Sequence, residues 1–167
     1  MGALAGEVEA REITIDDRSW AERLVSQRFG SARVVSRGVL HDTITLPGLI
    51  AVRDGIPAGL LQYHVVGEQF EVVVLIAVRP RQGVGRFLLR AAEPIARSHG
   101  CRRLWLITTN DNRVATAFYR AVGWRLVTVH RGAMRASRRL KPEIPEFAAD
   151  GTPIEDEIEF ELLLEDA

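Results

Sequence analysis

Cysteine is nearly absent from this chain of 167 residues, which contains Cys101 alone. One cysteine cannot form an internal disulfide, and it supplies too few thiolates for a structural zinc site. His41, His99 and His130 are scattered along the sequence, and no pair of histidines has the spacing of metal ligands. The sequence therefore predicts neither a disulfide framework nor a metal cofactor.

An excess of charge of one sign is missing too, because Lys+Arg and Asp+Glu both number 22. A chain without net charge gives no electrostatic reason to expect nucleic acid or an anionic membrane as a partner. No apolar run reaches the roughly 18 residues of a membrane-spanning helix, and residues 1–11 lack the pattern of a secretion signal. We therefore expect a cytoplasmic protein with no membrane or nucleic-acid partner.

The length suits one domain with one substantial core, and no repeat, low-complexity tract or linker divides the chain. We therefore interpret residues 1–167 as a single domain. Residues 1–10 are expected to form a loose N-terminus. Residues 131–153 are expected to be irregular, with one helical turn near 134–140, before a last strand.

The pattern of apolar residues, caps and turns predicts a mixed α/β fold. The predicted strands cover residues 12–15, 49–53, 56–66, 70–78, 103–109, 124–130 and 158–164. A first helix is predicted to begin after an N-cap at Asp16, Asp17 or Ser19 and to end near Phe29. Two further helices are predicted over residues 84–99 and 113–122. Asp54-Gly55 fits a two-residue type I′ turn. Residues 72–78 contain no polar side chain, so this central strand must be covered on both faces, with helices on both sides of the sheet.

The run Arg79-Pro80-Arg81-Gln82-Gly83-Val84-Gly85-Arg86, which we call the glycine turn, joins this central strand to a helix. Glycines allow backbone N–H groups to approach a ligand closely, and the start of a helix adds partial positive charge. Together with the three arginines, these features favour a phosphate ligand. A Walker loop is excluded because its motif is absent, and a dinucleotide fingerprint is excluded because Leu88 stands where its third glycine belongs. A turn without any ligand remains open.

A second run, Asn112-Arg113-Val114-Ala115-Thr116-Ala117-Phe118-Tyr119-Arg120-Ala121-Val122-Gly123-Trp124, follows the next predicted strand. With the glycine turn, this run resembles the GNAT superfamily of N-acetyltransferases over about residues 49–129. The resemblance implies the GNAT-like acyl-CoA N-acyltransferase fold, with a central mixed, mostly antiparallel sheet flanked by helices on both faces. It also implies acetyl-CoA, or another acyl-CoA, as the co-substrate.

In that family the glycine loop cradles the CoA pyrophosphate, an asparagine helps to hold the cofactor, and a tyrosine protonates the leaving thiolate. A backbone N–H of the central strand, here near residues 75–77, stabilises the developing oxyanion. The resemblance implies Tyr119 as the general acid. The sequence differs from the family's motif at Pro80, where the family usually has Arg or Gln. The implied cofactor-binding residues are Ala77, Val78, Arg81, Gln82, Gly83, Val84, Gly85, Arg86 and Asn112.

The acceptor amine needs a base, because an amine of pKa about 10.4 is almost entirely protonated at pH 7. Glu71 is the only acid in the central strand, and strand alternation places it on one face with Leu75 and Ala77. We predict Glu71 as this base. A solvated strand end beside Glu68, His64 as a rival base, and a chain of waters remain open alternatives.

The resemblance implies an N-acetyltransferase that transfers an acetyl group to a primary amine by direct attack. A non-catalytic module that binds CoA esters on the same fold is the alternative, and an interaction protein without CoA is a third hypothesis. The sequence is compatible with a homodimer and leaves the acceptor open. The basic residues 131–141 and the acidic residues 155–161 are interpreted as solvated faces.

Overall fold

The computed structural model describes residues 6–165. The strands are β1 (Val8–Glu12), β2 (Arg33–Ser36), β3 (Val39–Asp42), β4 (Gly48–Arg53), β5 (Ile56–Val66), β6 (Gln69–Ala77), β7 (Arg103–Thr109), β8 (Arg125–His130) and β9 (Glu157–Leu163). The helices are α1 (Arg18–Phe29), α2 (Val84–Ser98), α3 (Arg113–Ala121) and α4 (Ala133–Leu140). Short 3₁₀ turns cover Ile15–Asp17 and Thr43–Thr45.

Seven strands form one sheet in the order β1-β4-β5-β6-β7-β9-β8, and β2 and β3 form a separate hairpin. Neighbouring strands run antiparallel except for β6 and β7, which are parallel. The predicted mixed, mostly antiparallel sheet is therefore confirmed. The predicted type I′ turn is present as well, because Asp54 and Gly55 have φ values of 53° and 75°.

The parallel strands β6 and β7 separate soon after they meet. Their pairing covers only residues 69–71 of β6 and 103–105 of β7. Beyond Glu71, β6 continues to Ala77 and β7 to Thr109 without pairing with each other. Backbone polar groups on both sides of this gap need another partner, such as water or a ligand.

Helices cover both faces of the sheet, as the sequence predicts. On one face, α2 packs on a core that includes Leu61, Phe70 and Phe160. On the opposite face, Ala21 and Val25 of α1 pack on a second apolar cluster. Helix α2 approaches β5 closely because Gly59 has no side chain, since a Cβ there would lie 2.5 Å from Val84 Cγ1.

A bulge in the central strand changes which side chains share a face. Val72 pairs with Tyr63 and Val74 with Gln62, so Val73 is the extra residue. As a result, Val73 and Val74 both pack in the apolar cluster beneath α1. Leu75 and Ala77 then pack against the core beneath α2. The prediction that Glu71 shares a face with Leu75 and Ala77 is therefore wrong, because the extra residue reverses the alternation.

The acidic strand β9 is not the solvated face that the sequence suggested. Glu157 and Glu161 are only 2% and 6% exposed. Arg103 and Arg125 both form ion pairs with Glu161, and Arg103 also reaches Glu159. Burial acts against ionisation of Glu161, but the bonds from both arginines hold its pKa below the ordinary value.

The N-terminal predictions need two corrections. Strand β1 starts at Val8 and pairs with β4, so residues 8–10 are not loose, whereas residues 1–5 lie outside the described part. The predicted strand over 12–15 is wrong, because β1 ends at Glu12 and a 3₁₀ turn follows. Asp17 stabilises this turn, because its carboxylate accepts a hydrogen bond from the Thr14 N–H at 2.8 Å and forms a salt bridge with Arg11 at 2.7 Å.

The segment after β8 has more structure than the sequence predicts. Helix α4 spans eight residues rather than one turn. Lys141, expected on a solvated basic face, is 4% exposed. Its ammonium donates hydrogen bonds to Phe29 O and Arg33 O at 2.5 and 2.6 Å. Lys141 thereby joins the end of α4 to α1 and to the β2–β3 hairpin, which the sequence analysis did not predict.

Candidate active site

The glycine turn presents unpaired backbone donors at the start of α2. Arg81 and Gly83 both have positive φ values, 62° and 76°, so the chain turns sharply into the helix. The Phe87 N–H bonds to Gly83 O at 3.0 Å. The N–H groups of residues 84–86 precede it and have no intrahelical acceptors. Donors at a positive helix terminus suit a diphosphate, so the turn fits a CoA ester.

Arg53, at the end of β4, fixes the conformation of this turn. Its guanidinium donates to Gln82 Oε1 at 2.8 Å and to Gln82 O at 3.1 Å. The sequence analysis missed Arg53 because it lies 29 residues before its partner and belongs to no local motif. Gln82, predicted to contact the cofactor, therefore has its side-chain oxygen engaged by Arg53.

Helix α3 packs directly on the start of α2. A Cβ on Gly85 would lie 3.1 Å from Phe118 Cζ, and Arg86 donates to Ala121 O at 3.3 Å. The glycine at position 85 thus has a packing reason in addition to the predicted approach of a ligand. This contact brings the glycine turn beside the helix that carries Tyr119.

Tyr119 remains partly exposed, although its ring packs on the core. Its ring centroid lies 5.5 Å from that of Phe160 and 6.2 Å from that of Trp124. Burial raises the pKa of Tyr119 to about 12, so the hydroxyl keeps its proton at neutral pH.

The other predicted cofactor contacts lie along the end of β6 and at the start of α3. The Val78 N–H bonds to Ala58 O at 2.9 Å and therefore points toward β5. Because the N–H groups of successive residues alternate between the two sides of a strand, the N–H groups of Leu75 and Ala77 point toward the gap between β6 and β7. Asn112 caps α3 through Oδ1, which accepts from the Ala115 N–H at 3.1 Å.

Glu71 lies at the opposite end of β6, in a cleft beneath the β2–β3 hairpin. It is 6% exposed, so its interpretation as a solvated strand end is wrong. His41 Nε2 lies 3.5 Å from Glu71 Oε2, and the His41 ring packs edge-on against His64 at 5.3 Å. This hairpin cleft has a volume of about 340 Å³. Its lining includes Ser36, His41, His64, Gln69, Glu71 and Trp105.

The predicted site residues therefore fall into two groups. The glycine turn and Tyr119 lie near the carboxyl end of β6, and Glu71 lies near its amino end. Residues 71 and 77 are about 20 Å apart along an extended strand, and the gap between β6 and β7 opens beside this stretch. The arrangement suits a long ligand held at one end and reacting toward the other.

Sequence reasoning missed His41, Ser36 and Trp105, which reach the cleft from three different strands. No local motif marks any of them. Within residues 6–165, no group of three or more His, Cys, Asp or Glu side chains is arranged to hold a metal ion. Across the same residues, no helix has both the length and the apolarity required to cross a membrane.

A family model for the acetyltransferase (GNAT) family matches residues 17–124. Among curated proteins, the uncharacterized protein YdhI of Bacillus subtilis (strain 168) is 40% identical over 121 residues, which cover 72% of this chain and 76% of YdhI. Sequence similarity thus spans both the glycine turn and Tyr119.

Solved structures share the fold at lower sequence identity. An IAA acetyltransferase from Bacillus cereus ATCC 14579 superposes with a TM-score of 0.71 at 18% identity, covering 95% of this chain and 100% of that one. A GNAT family acetyltransferase from Elizabethkingia anophelis with acetyl-CoA bound gives a TM-score of 0.66 at 16% identity, covering 94% and 98%. At these identities the likeness shows the fold alone.

Proposed function

The chain belongs to the GNAT family of acetyltransferases and is an acyl-CoA-dependent acyltransferase, and we propose that it transfers an acetyl group from acetyl-CoA to a primary amine by direct attack. The observation that carries this proposal is the gap between β6 and β7, which extends from the glycine turn to Glu71. The proposal implies a reaction in the cytoplasm.

The glycine turn would hold the diphosphate of the co-substrate. The N–H groups of Val84, Gly85 and Arg86 supply hydrogen bonds, and the exposed guanidinium of Arg81 adds positive charge. Ala77 and Val78, beside the gap, and Asn112, at the start of α3, would contact the rest of the molecule. Bound in this way, acetyl-CoA supplies a thioester carbonyl to the acceptor.

Three groups of the chain would then handle charge and protons. Glu71 takes one proton from the ammonium group, so that the neutral nitrogen attacks and the C–N bond forms. A backbone N–H at Leu75 or Ala77 donates to the carbonyl oxygen while it carries negative charge. When the C–S bond breaks, Tyr119 gives its proton to the sulfur and is reprotonated by the second proton of the nitrogen through solvent. The net change releases one proton.

Binding of acetyl-CoA tests the premise of this proposal. At a concentration 100 times its Kd, acetyl-CoA should stabilise the folded protein by about 2.7 kcal/mol, measured as a thermal shift. An unchanged melting temperature at millimolar acetyl-CoA would favour the hypothesis that the chain is an interaction protein that does not bind CoA.

Tyr119→Phe then separates an enzyme from a binding module. We expect kcat, measured by thiol release, to fall about 100-fold or more, because an acid at the leaving group contributes at least that factor. The Kd for acetyl-CoA should stay unchanged. Tyr63→Phe is the matched control, because Tyr63 is stacked on Phe70 in the core. Unchanged kcat in Tyr119→Phe would remove Tyr119 from the mechanism.

A further inference from the structure

Three buried polar atoms in the hairpin cleft have no hydrogen-bond partner within residues 6–165. They are Ser36 Oγ, His41 Nε2 and Glu71 Oε1, and each residue is at most 6% exposed. Burying a polar atom without a partner is costly, and native proteins keep few such atoms. Three of them in one open cleft indicate that a polar ligand supplies the missing bonds.

Carboxylates dominate the buried charge of this region. Glu157, 2% exposed, accepts a hydrogen bond from the Arg37 backbone N–H at 3.2 Å. Burial raises the pKa of Glu157, and the nearby charge of Glu71 acts in the same direction. No lysine or arginine side chain forms an ion pair with Glu71 or Glu157 in the described part of the chain. A cation in the cleft would therefore be stabilised by the carboxyl group of Glu71, which lines it.

The rest of the cleft limits the size and charge of its ligand. Val39 and Val66 line it with exposed apolar surface, 51% and 64% exposed, and Trp105 adds an aromatic ring. The exposed guanidinium of Arg37, at the turn of the hairpin, also lines the cleft and would repel a second positive charge. The volume of about 340 Å³ lies at the low end of the range of roughly 300–1,000 Å³ for small-molecule sites.

We propose that the hairpin cleft binds the acceptor, and that this acceptor is a small primary monoamine with an apolar body. Its ammonium group lies among Glu71 Oε1, His41 Nε2 and Ser36 Oγ, and its apolar body lies against Trp105. The proposal deepens the acyl-transfer function and rests on it, since the amine must meet the thioester where β6 and β7 separate.

Direct binding of an amine tests the cleft without relying on turnover. Phenethylamine serves as the probe, titrated calorimetrically into the full chain with saturating CoA. Glu71→Gln should weaken phenethylamine binding about 10- to 100-fold, because a hydrogen bond between charged groups is lost. Ser36→Ala should weaken it several-fold. The matched control Glu68→Gln should change nothing, since Glu68 is exposed and its side chain is 3.9 Å from Arg102.

Wild-type affinity in both Glu71→Gln and Ser36→Ala would overturn the assignment of the cleft, as would a lack of phenethylamine binding to the wild-type chain. If Glu71→Gln fails to fold, Ser36→Ala still decides the question. A chain that binds phenethylamine in the cleft but never binds acetyl-CoA would contradict the acyl-transfer function, whereas a chain that binds acetyl-CoA but not the amine would contradict the cleft. The two failures are thus distinguishable.

Arg37→Gln tests the selection against polyamines. In the wild-type chain, kcat/KM for phenethylamine should exceed that for spermidine by about tenfold, the effect of roughly one repulsive contact. Arg37→Gln should reduce this ratio several-fold. A wild-type preference for spermidine, or for a peptide with a free N-terminus, would overturn the proposed acceptor class.

Discussion

The glycine turn is formed by eight consecutive residues, 79–86, whereas the hairpin cleft draws its side chains from five strands, β2, β3, β5, β6 and β7. At the turn the donors are backbone N–H groups at the start of a helix. At the cleft the polar groups are buried side-chain atoms that lack hydrogen-bond partners in the described part of the chain. The difference indicates that the glycine turn recognises a common chemical group, a diphosphate, while the hairpin cleft recognises a particular ligand. Substitutions should therefore affect either cofactor binding or acceptor binding, but not both.

Gly85→Asp should give the largest effect and should act at the cofactor end alone. A carboxylate among the N–H donors of α2 would repel the diphosphate, so the Kd for acetyl-CoA should rise about 100-fold or more. Amine binding at the cleft should not change. Isothermal titration of each ligand measures both.

Gly85→Ala is the control, because it adds only the Cβ that meets Phe118 Cζ at 3.1 Å. We expect a rise of a few-fold in the acetyl-CoA Kd. If Gly85→Ala weakened binding as much as Gly85→Asp, helix packing rather than anion binding would explain the glycine.

Lys141→Met should affect acceptor binding at the hairpin cleft. It removes the ammonium that bonds Phe29 O and Arg33 O, which leaves two carbonyl groups without their donor and loosens β2. Stability should fall by about 1–3 kcal/mol, and the KM for the amine should rise while the acetyl-CoA Kd stays constant. Arg139→Met, on the exposed side of α4, is the control and should alter neither. Equal losses at both ends would contradict the proposed separation.

Arg53→Met should give a smaller effect at the cofactor end. The substitution removes the two hydrogen bonds to Gln82, and the turn loses its fixed conformation. A loss of about 1 kcal/mol corresponds to a roughly fivefold rise in the acetyl-CoA Kd. The exposed Arg90 on α2 provides the control Arg90→Met. If both variants bind acetyl-CoA equally well, Arg53 has no role in fixing the turn.

The pH dependence of kcat should show almost no contribution from Tyr119 below pH 10. Burial raises the pKa of Tyr119 to about 12, so the phenol keeps its proton throughout that range. Because this pKa exceeds the ordinary value near 10, the unfolded chain ionises first, and stability should decrease as pH rises from about 10 to 12. Tyr119→Phe should reduce that decrease without abolishing it, because burial also raises the pKa of Tyr63. A fall in kcat near pH 9 that disappears in Tyr119→Phe would contradict the assigned pKa.

Elements with a strong local pattern were predicted from the sequence. The central strand, the Asp54-Gly55 turn, α2 and α3 are present close to the expected positions. The β2–β3 hairpin was not predicted, although Arg37 and Gly38 have φ values of 48° and 76°. Arginine is rare at a position that needs positive φ, so no turn was recognised.

The hairpin cleft was beyond sequence reasoning because it depends on tertiary packing. His41 becomes significant only when the hairpin brings it to Glu71, 30 residues later in the chain. The bulge at Val73, which separates Glu71 from the face of Leu75, leaves no mark in a run of uniformly apolar residues. The burial of Glu157 likewise follows from its place under the hairpin, not from its acidic neighbours.

A crystal structure of the chain with acetyl-CoA would test the central claim most directly. Our account predicts the diphosphate within about 2.7–3.2 Å of the N–H groups of residues 84–86. It also predicts the thioester in the gap between β6 and β7, with its sulfur beside the Tyr119 hydroxyl. Acetyl-CoA bound away from this gap, or a Tyr119 hydroxyl that does not reach the sulfur, would contradict the account.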